Sequence, residues 1–269
     1  MAASMDDKHY GDGTEATRVL DALDPVRAGR LAALDQFHVG GVRASRRLAG
    51  RAKIGHGQRV LDVGSGLGGP ARLLVDETGA DVTGIDFTQH FCWIAQALSV
   101  QTGNADCTRF CAADALVLPF ADDVFDAVWT EHMAMNIAAR DRLYRELRRV
   151  ARSGGILALY DVVEGSQSVG LLYPVPWASN EVNSHLVDAD SLRRVILDAG
   201  WTERIFVDET AAALDWLSNV PQSSGFEGPT LRDVMGPEFP TMIANLRDNF
   251  EAGRLGAVQA IFENSSASI

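Results

Sequence analysis

Cysteine is scarce in this chain. Its three copies, Cys92, Cys107 and Cys111, form an odd set without a CxxC pair, which excludes a disulfide framework and a structural zinc site and leaves free thiols. Long apolar runs are absent as well, and nothing approaches the roughly 18 consecutive apolar residues of a membrane span. Positive charge is outweighed, 24 Lys and Arg against 36 Asp and Glu for a net −12, so a nucleic-acid backbone or an anionic membrane is a poor partner. Residues 1–13 are polar and acidic where a secretory leader would be basic and then apolar, so the expected location is cytoplasmic. There is no GxSxG elbow and no HxxxH or HxH spacing. Covalent nucleophilic catalysis is therefore not indicated, and His132, Asp161 and His185 do not read as a metal set. What remains is 269 residues with 46% apolar content and 25 glycines, a globular profile for one domain, or one with a cap, acting on a small molecule.

From about residue 58 the chain alternates short β-branched runs with longer helical patterns, the rhythm of an α/β parallel sheet covered on both faces. Strands are expected over 59–63, 81–86, 108–112, 125–130 and 156–163, then 204–210 and 257–263. Helices are expected over 71–77, after Thr88 as N-cap, over 138–151 and over 190–199. Arg140, Arg142, Arg145, Arg148, Arg149 and Arg152 read as a solvated helix face interleaved with Asp141 and Glu146. The organisation expected is a helical N-terminal cover over 1–50, a core over 51–164, a lid or acceptor-pocket insertion over 165–190, and the rest of the same sheet over 191–269.

The first strand breaks into Gly64-Ser65-Gly66-Leu67-Gly68-Gly69, a GxGxxG pattern, and Asp86 stands at the end of the second strand. Glycines let backbone approach a ligand, helix-start N–H groups face an anion, and the acid accepts ribose hydroxyls, so an adenosine ligand is implied. Asp62, two residues before Gly64, discriminates further. A carboxylate there would repel the pyrophosphate of a dinucleotide, whereas S-adenosyl-L-methionine carries a sulfonium and an ammonium and only one carboxylate.

Val60 through Gly69, with the spaced acids Asp86 and Asp114, resembles the class I S-adenosylmethionine-dependent methyltransferases over roughly residues 8–263. The likeness is strongest to the small-molecule branch of sarcosine/dimethylglycine and tocopherol methyltransferases. It rests there on Gly68-Gly69-Pro70-Ala71-Arg72, on Leu118-Pro119-Phe120 before Phe125-Asp126, and on Gly154-Gly155 before the fifth strand. Ser153 stands where that family often has proline, a departure at a distal turn.

The resemblance implies a Rossmann-like, seven-stranded, mostly parallel sheet with helices on both faces and an antiparallel last strand. It also implies S-adenosyl-L-methionine as cofactor and S-adenosyl-L-homocysteine as product. By the same resemblance Gly64, Ser65 and Gly66 line the methionine part, with Asp62 beside them. Asp86 binds the ribose, flanked by Phe87 and Thr88, and Asp114 with Ala115 recognises adenine, while Thr130 and Glu131 close the site. Tyr10 and His38 belong to arm segments that resemble the cover over the cofactor, and Gln36 lies beside His38.

Because the sulfonium already supplies the leaving group, the protein must mainly align the reactants and take up a proton. His132 after the fourth strand is the candidate base, since an imidazole titrates near neutrality. Gln36 in the arm, Tyr160 and Asp161 at the end of the fifth strand, and Trp177 and His185 in the insertion, are candidate contacts for a small-molecule acceptor. The expected activity is methyl transfer to N, O or C of a small metabolite in secondary metabolism, with a homodimer left open. Same-fold non-methylating chemistry, a regulatory or scaffold cofactor binder, and a nicotinamide oxidoreductase are the competing readings, the last opposed by Asp62.

Overall fold

The computed structural model describes residues 31–167, 169–219 and 230–265. Tyr10, with the His9-Tyr10-Gly11 segment, lies outside the described residues.

Seven strands form one sheet: β1 Arg59–Val63, β2 Asp81–Asp86, β3 Thr108–Ala112, β4 Phe125–Glu131, β5 Ala151–Glu164, β6 Thr202–Asp208 and β7 Leu255–Glu263. Their order across the sheet is β3-β2-β1-β4-β5-β7-β6. The first five run parallel, and β7 pairs antiparallel with both β5 and β6. Among the described residues the helices are α1 Ala32–Asp35, α2 Gly41–Ala52, α3 Gly69–Thr78, α4 Gln89–Thr102, α5 Arg140–Val150, α6 Ala189–Asp198, α7 Thr210–Asn219, α8 Leu231–Met235 and α9 Phe239–Glu251.

Successive side chains of a strand point to opposite faces, so the sheet divides its apolar residues between two cores. Val60, Val82, Ala127, Trp129 and Tyr160 face one way, against α2, α3, α7 and α9 through Leu48, Leu74, Leu217 and Phe250. Leu61, Val63, Ile85 and Val128 face the other way, against α5 and α6 through Leu143, Leu147, Leu192 and Ile196. A third cluster joins Phe91, Ile94 and Leu98 of α4 to Leu31, Leu34 and Val234. It ties α1 and α8 to the edge of the sheet where the glycine bend lies.

Three local expectations change. Residues 153–155 are not a turn between helix and strand: β5 starts at Ala151, directly after α5, and Gly154, at φ +74°, belongs to an irregularity where the β4–β5 register slips between Phe125 and Ala127. Thr88 does stand at the N-cap of α4, but its side chain makes no capping bond; its backbone N–H instead donates to Asp86 Oδ1 at 2.8 Å. The basic face of α5 is also less solvated than expected. Arg140 is buried and donates to the His185 carbonyl, while Arg149 donates to the Leu118 and Phe120 carbonyls and pairs with Glu146 and Asp122.

The stretch 165–190 packs on the main core through Val175, Trp177 and Ala178, all buried. On the first core face Arg72 of α3, itself buried, pairs with buried Asp35 at 2.6 Å and donates to the Leu67 carbonyl at 2.8 Å, clamping α1 onto the glycine bend. No helix among the described residues is long and apolar enough to cross a membrane.

Candidate functional site

A cavity of about 1860 Å³ opens at the carboxyl ends of β1, β2 and β4, where open α/β sheets hold their ligands. Typical small-molecule sites span roughly 300–1,000 Å³, so this space can seat a nucleoside-sized cofactor and a second molecule together. Gly64 and Gly66, Asp86, Phe87 and Thr88, and Asp114 and Ala115 form one end. Glu131 and His132 stand in the middle, with Gln36 and His38 from the segment before α2 above them. Trp177 and His185 line the far side with Trp216, Met235, Phe239 and Ile243 of α7 to α9.

The glycine bend exists because its backbone adopts conformations other residues resist. Gly64 and Gly66 have φ of +79° and +51°. A Cβ on Gly64 would also stand 2.7 Å from Met133 Cγ. Asp86 fixes the bend to β2: its Oδ2 accepts the Gly66 N–H at 2.9 Å and its Oδ1 accepts the Thr88 N–H. Asp114 Oδ1 accepts the Leu116 N–H at 2.8 Å, holding that loop open beside Ala115.

Behind the wall lies a buried acidic cluster. Asp62 is 2% exposed, and its Oδ2 has no hydrogen-bond partner; burial, then the charges of Glu131 and Asp86, push its pKa well above the usual carboxylate range. Glu131 is raised to about 8, chiefly by burial, with the Ser45 hydroxyl opposing; its Oε1 also has no hydrogen-bond partner. Burial also raises Asp161 to about 7, although Arg140 opposes and Oδ1 accepts the Met133 N–H at 3.0 Å. Three buried carboxyls, each with an oxygen lacking a donor, fit a ligand that brings positive charge and not one that brings diphosphate.

Several expected contacts are set behind the cavity wall. Asp62, Ser65, Thr130, Tyr160 and Asp161 do not line it. Asp62 on β1, Thr130 on β4, Tyr160 and Asp161 on β5 and Ser65 in the glycine bend turn their side chains inward, where Ser65 Oγ, Thr130 Oγ1 and Tyr160 Oη are buried without partners. Asp62 therefore does not touch the cavity. Asp161 holds the backbone after β4, at the start of the 3₁₀ turn Ala134–Asn136. Trp177 lines the cavity but is 4% exposed, with its indole N–H donating to Ser184 Oγ at 3.1 Å, so it serves the fold as well as the wall.

His132 occupies a left-handed backbone position, φ +49°, rare for a residue with a side chain, right after β4. Its ring lies 5.9 Å from His38 and 4.8 Å from Tyr160, and its Nε2 is sealed off without a partner. Burial first, and then His38, lower its pKa well below the usual imidazole value.

Sequence reasoning passed over Ser45 and the α7–α9 wall. Ser45 Oγ bonds His38 Nε2 at 3.0 Å and donates to Glu131 Oε2 at 3.0 Å. The available signal was a small polar residue on the apolar stripe of α2, between Ala44 and Leu48.

The sheet order with its antiparallel β7, and a glycine bend feeding a cavity at the strand ends beside an acid on β2, define the architecture of class I methyltransferases. Residues 61–159 match the family described as methyltransferase domain. Over that stretch the chain is similar to a methyltransferase domain.

Among curated proteins, methyltransferase GfsG of Streptomyces halstedii is 38% identical over 130 residues, which is 48% of this chain and 47% of that protein. Sterol 24-C-methyltransferase ERG6B of Gibberella zeae is 38% identical over 114 residues, 42% of this chain and 30% of its own length. The chain thus matches less than half the length of these relatives. Among solved structures, the [4+2]-cyclase SpnF superposes with a TM-score of 0.67 at 24% identity, covering 84% of this chain and 81% of that one. At that identity the likeness is one of fold.

Proposed function

We propose that the protein transfers a methyl group from S-adenosyl-L-methionine to a small, largely apolar metabolite of secondary metabolism, leaving S-adenosyl-L-homocysteine. The observation that carries this reading is the continuity of one cavity from the glycine bend and Asp86, past Glu131 and His132, to a wall of Trp177, Trp216, Phe239 and Ile243. When bound, the cofactor supplies a methyl group already activated on a sulfonium, so the chain's task is placement and proton uptake.

Asp86, on the cavity wall with Gly66 and Thr88 fixing both of its oxygens, is placed for ribose hydroxyls. Phe87, 47% exposed, and Thr88 flank it, and Asp114 and Ala115 stand where an adenine edge would lie. Gly64, Gly66 and Glu131 face the methionine part, with Asp62 buried behind them. Gln36, His38, Trp177 and His185 border the acceptor space. A proton released by the acceptor is taken up at the wall between the two halves, where His38 and His132 stand 5.9 Å apart. The net charge of −12 supports a small-molecule acceptor in the cytoplasm over nucleic acid or a membrane surface.

Calorimetric titration with S-adenosyl-L-methionine, S-adenosyl-L-homocysteine and NADH tests the cofactor assignment. The two adenosyl ligands are expected to bind and NADH is not; a preference for NADH would overturn it. The fold likeness to a [4+2]-cyclase favours one second reading, a cofactor retained for non-methylating chemistry. Transfer of an isotope-labelled methyl group to any acceptor decides between them.

A further inference from the structure

Of the two histidines at the cavity, only one is wired. His38 Nε2 lies 3.1 Å from the Gly41 carbonyl oxygen, which can only accept, so Nε2 carries the proton. The same Nε2 bonds Ser45 Oγ at 3.0 Å, and Ser45 donates to Glu131 Oε2 at 3.0 Å, with Glu131 Oε1 standing 3.7 Å from the ring. That tautomer makes Nδ1 the ring's proton acceptor, on a side chain that lines the cavity. His132 lacks such a partner, and its Nε2 is sealed. The arrangement is a base, an orienter and a buried carboxylate, the logic by which an imidazole is held in one tautomer and its protonated form stabilised.

We propose that His38 is the general base of the methyl transfer, with Ser45 and Glu131 as positioning residues that hold its Nε2–H and stabilise the imidazolium formed. The proposal rests on the methyltransferase reading above and departs from the sequence expectation that His132 takes the proton. In the step, the acceptor's O–H or N–H bond breaks and its proton goes to His38 Nδ1. The acceptor's electron pair forms the new bond to the methyl carbon as the carbon–sulfur bond breaks, and that bond's electron pair stays on sulfur. The proton leaves His38 to water on product release. His132 packs edge-on to His38 and against Tyr160, holding the neighbouring wall.

The base needs Glu131 ionised. Burial raises Glu131 to about 8 and lowers His38 to about 4, so the neutral imidazole is available throughout the neutral range and the carboxylate becomes limiting below about 8. The groups facing Glu131 are Ser45 and His38 from the α2 region, Asp62 from β1, and Tyr160 and Asp161 from β5. The carboxylates and the phenol disfavour its charge, while the Ser45 hydroxyl, the Trp129 indole N–H and a protonated His38 favour it.

Two measurements on the intact protein test this. Long-range proton–nitrogen spectra of histidine-labelled protein with S-adenosyl-L-homocysteine bound should show His38 protonated at Nε2 and bare at Nδ1 at pH 7. An Nδ1–H tautomer overturns the proposal whether or not an acceptor is known. With the acceptor found by labelled-methyl screening, kcat/KM should rise about tenfold per pH unit below about 8 and then level, and Glu131→Gln should flatten that profile. His38→Gln should lower kcat about 10²–10⁴-fold, the usual worth of general base catalysis, while S-adenosyl-L-homocysteine affinity stays within about threefold. Undiminished kcat in His38→Gln with a loss in His132→Gln refutes the assignment; absence of any methyl transfer by the wild type refutes instead the reading beneath it.

Discussion

Glu131 should lower the stability of the protein in a pH-dependent way that its isostere does not share. A carboxyl whose folded pKa is raised above its unfolded value contributes its full stability below the unfolded value and loses it as pH rises to the folded one. For Glu131 that window runs from 4.5 to about 8. At about 1.36 kcal/mol per pH unit, the neutral acid's advantage falls by roughly 5 kcal/mol across it. Glu131→Gln keeps the shape and an acceptor for the Ser45 hydroxyl but cannot ionise. Urea unfolding of both proteins from pH 5 to 9 should show the variant gaining on the wild type by about 1 kcal/mol per pH unit, then levelling above about pH 8. Buried groups away from Glu131 titrate in both proteins and largely cancel in the difference, whereas Asp62 and His38, which face Glu131, do not cancel fully. Stability profiles that run parallel over the whole range would refute the raised ionisation of buried Glu131, and with it the pH profile expected of the base.

Three further substitutions probe the frame of the site. Arg72→Ala leaves Asp35 buried without its partner and should cost about 3–5 kcal/mol by chemical denaturation, with α1 the first segment to lose amide protection in hydrogen exchange. Asp86→Ala removes the acceptor for the Gly66 and Thr88 N–H groups as well as the proposed acceptor for ribose, and should weaken S-adenosyl-L-homocysteine binding about 10–100-fold by calorimetry. Gly64→Ala puts a Cβ against Met133 at a positive φ, and a stability loss of about 1–3 kcal/mol with weakened cofactor binding is expected.

The first half of the sheet was legible because each strand there is a short apolar run between unmistakable breakers. β1, β2 and β3 begin and end where Gly64, Gly84-Ile85-Asp86 and the turn before Thr108 say they should. β5 was misjudged at its start, since glycines that signal a turn also permit an irregular strand, and only pairing with β4 distinguishes the two. In the site, the residues of the glycine bend and Asp86 were readable from spacing, because backbone geometry there is local. Whether Tyr160 or Asp161 met the cavity was not readable, because the face of a strand that borders a ligand is set by which helices cover it. Ser45 was hidden for a related reason: its partners are 7 and 86 residues away, and its role exists only once α2 lies over the end of β4. Arg140 and Arg149 looked like solvated charges because carbonyl acceptors leave no mark in a sequence.

The central claim is that this cavity brings an activated methyl group and a small acceptor together. Purified protein incubated with a metabolite extract and deuterium-labelled S-adenosyl-L-methionine, followed by mass spectrometry, tests it most directly. The account predicts at least one small molecule heavier by a labelled methyl, together with S-adenosyl-L-homocysteine in equal amount. Tight binding of the donor with no labelled product in any fraction would contradict it.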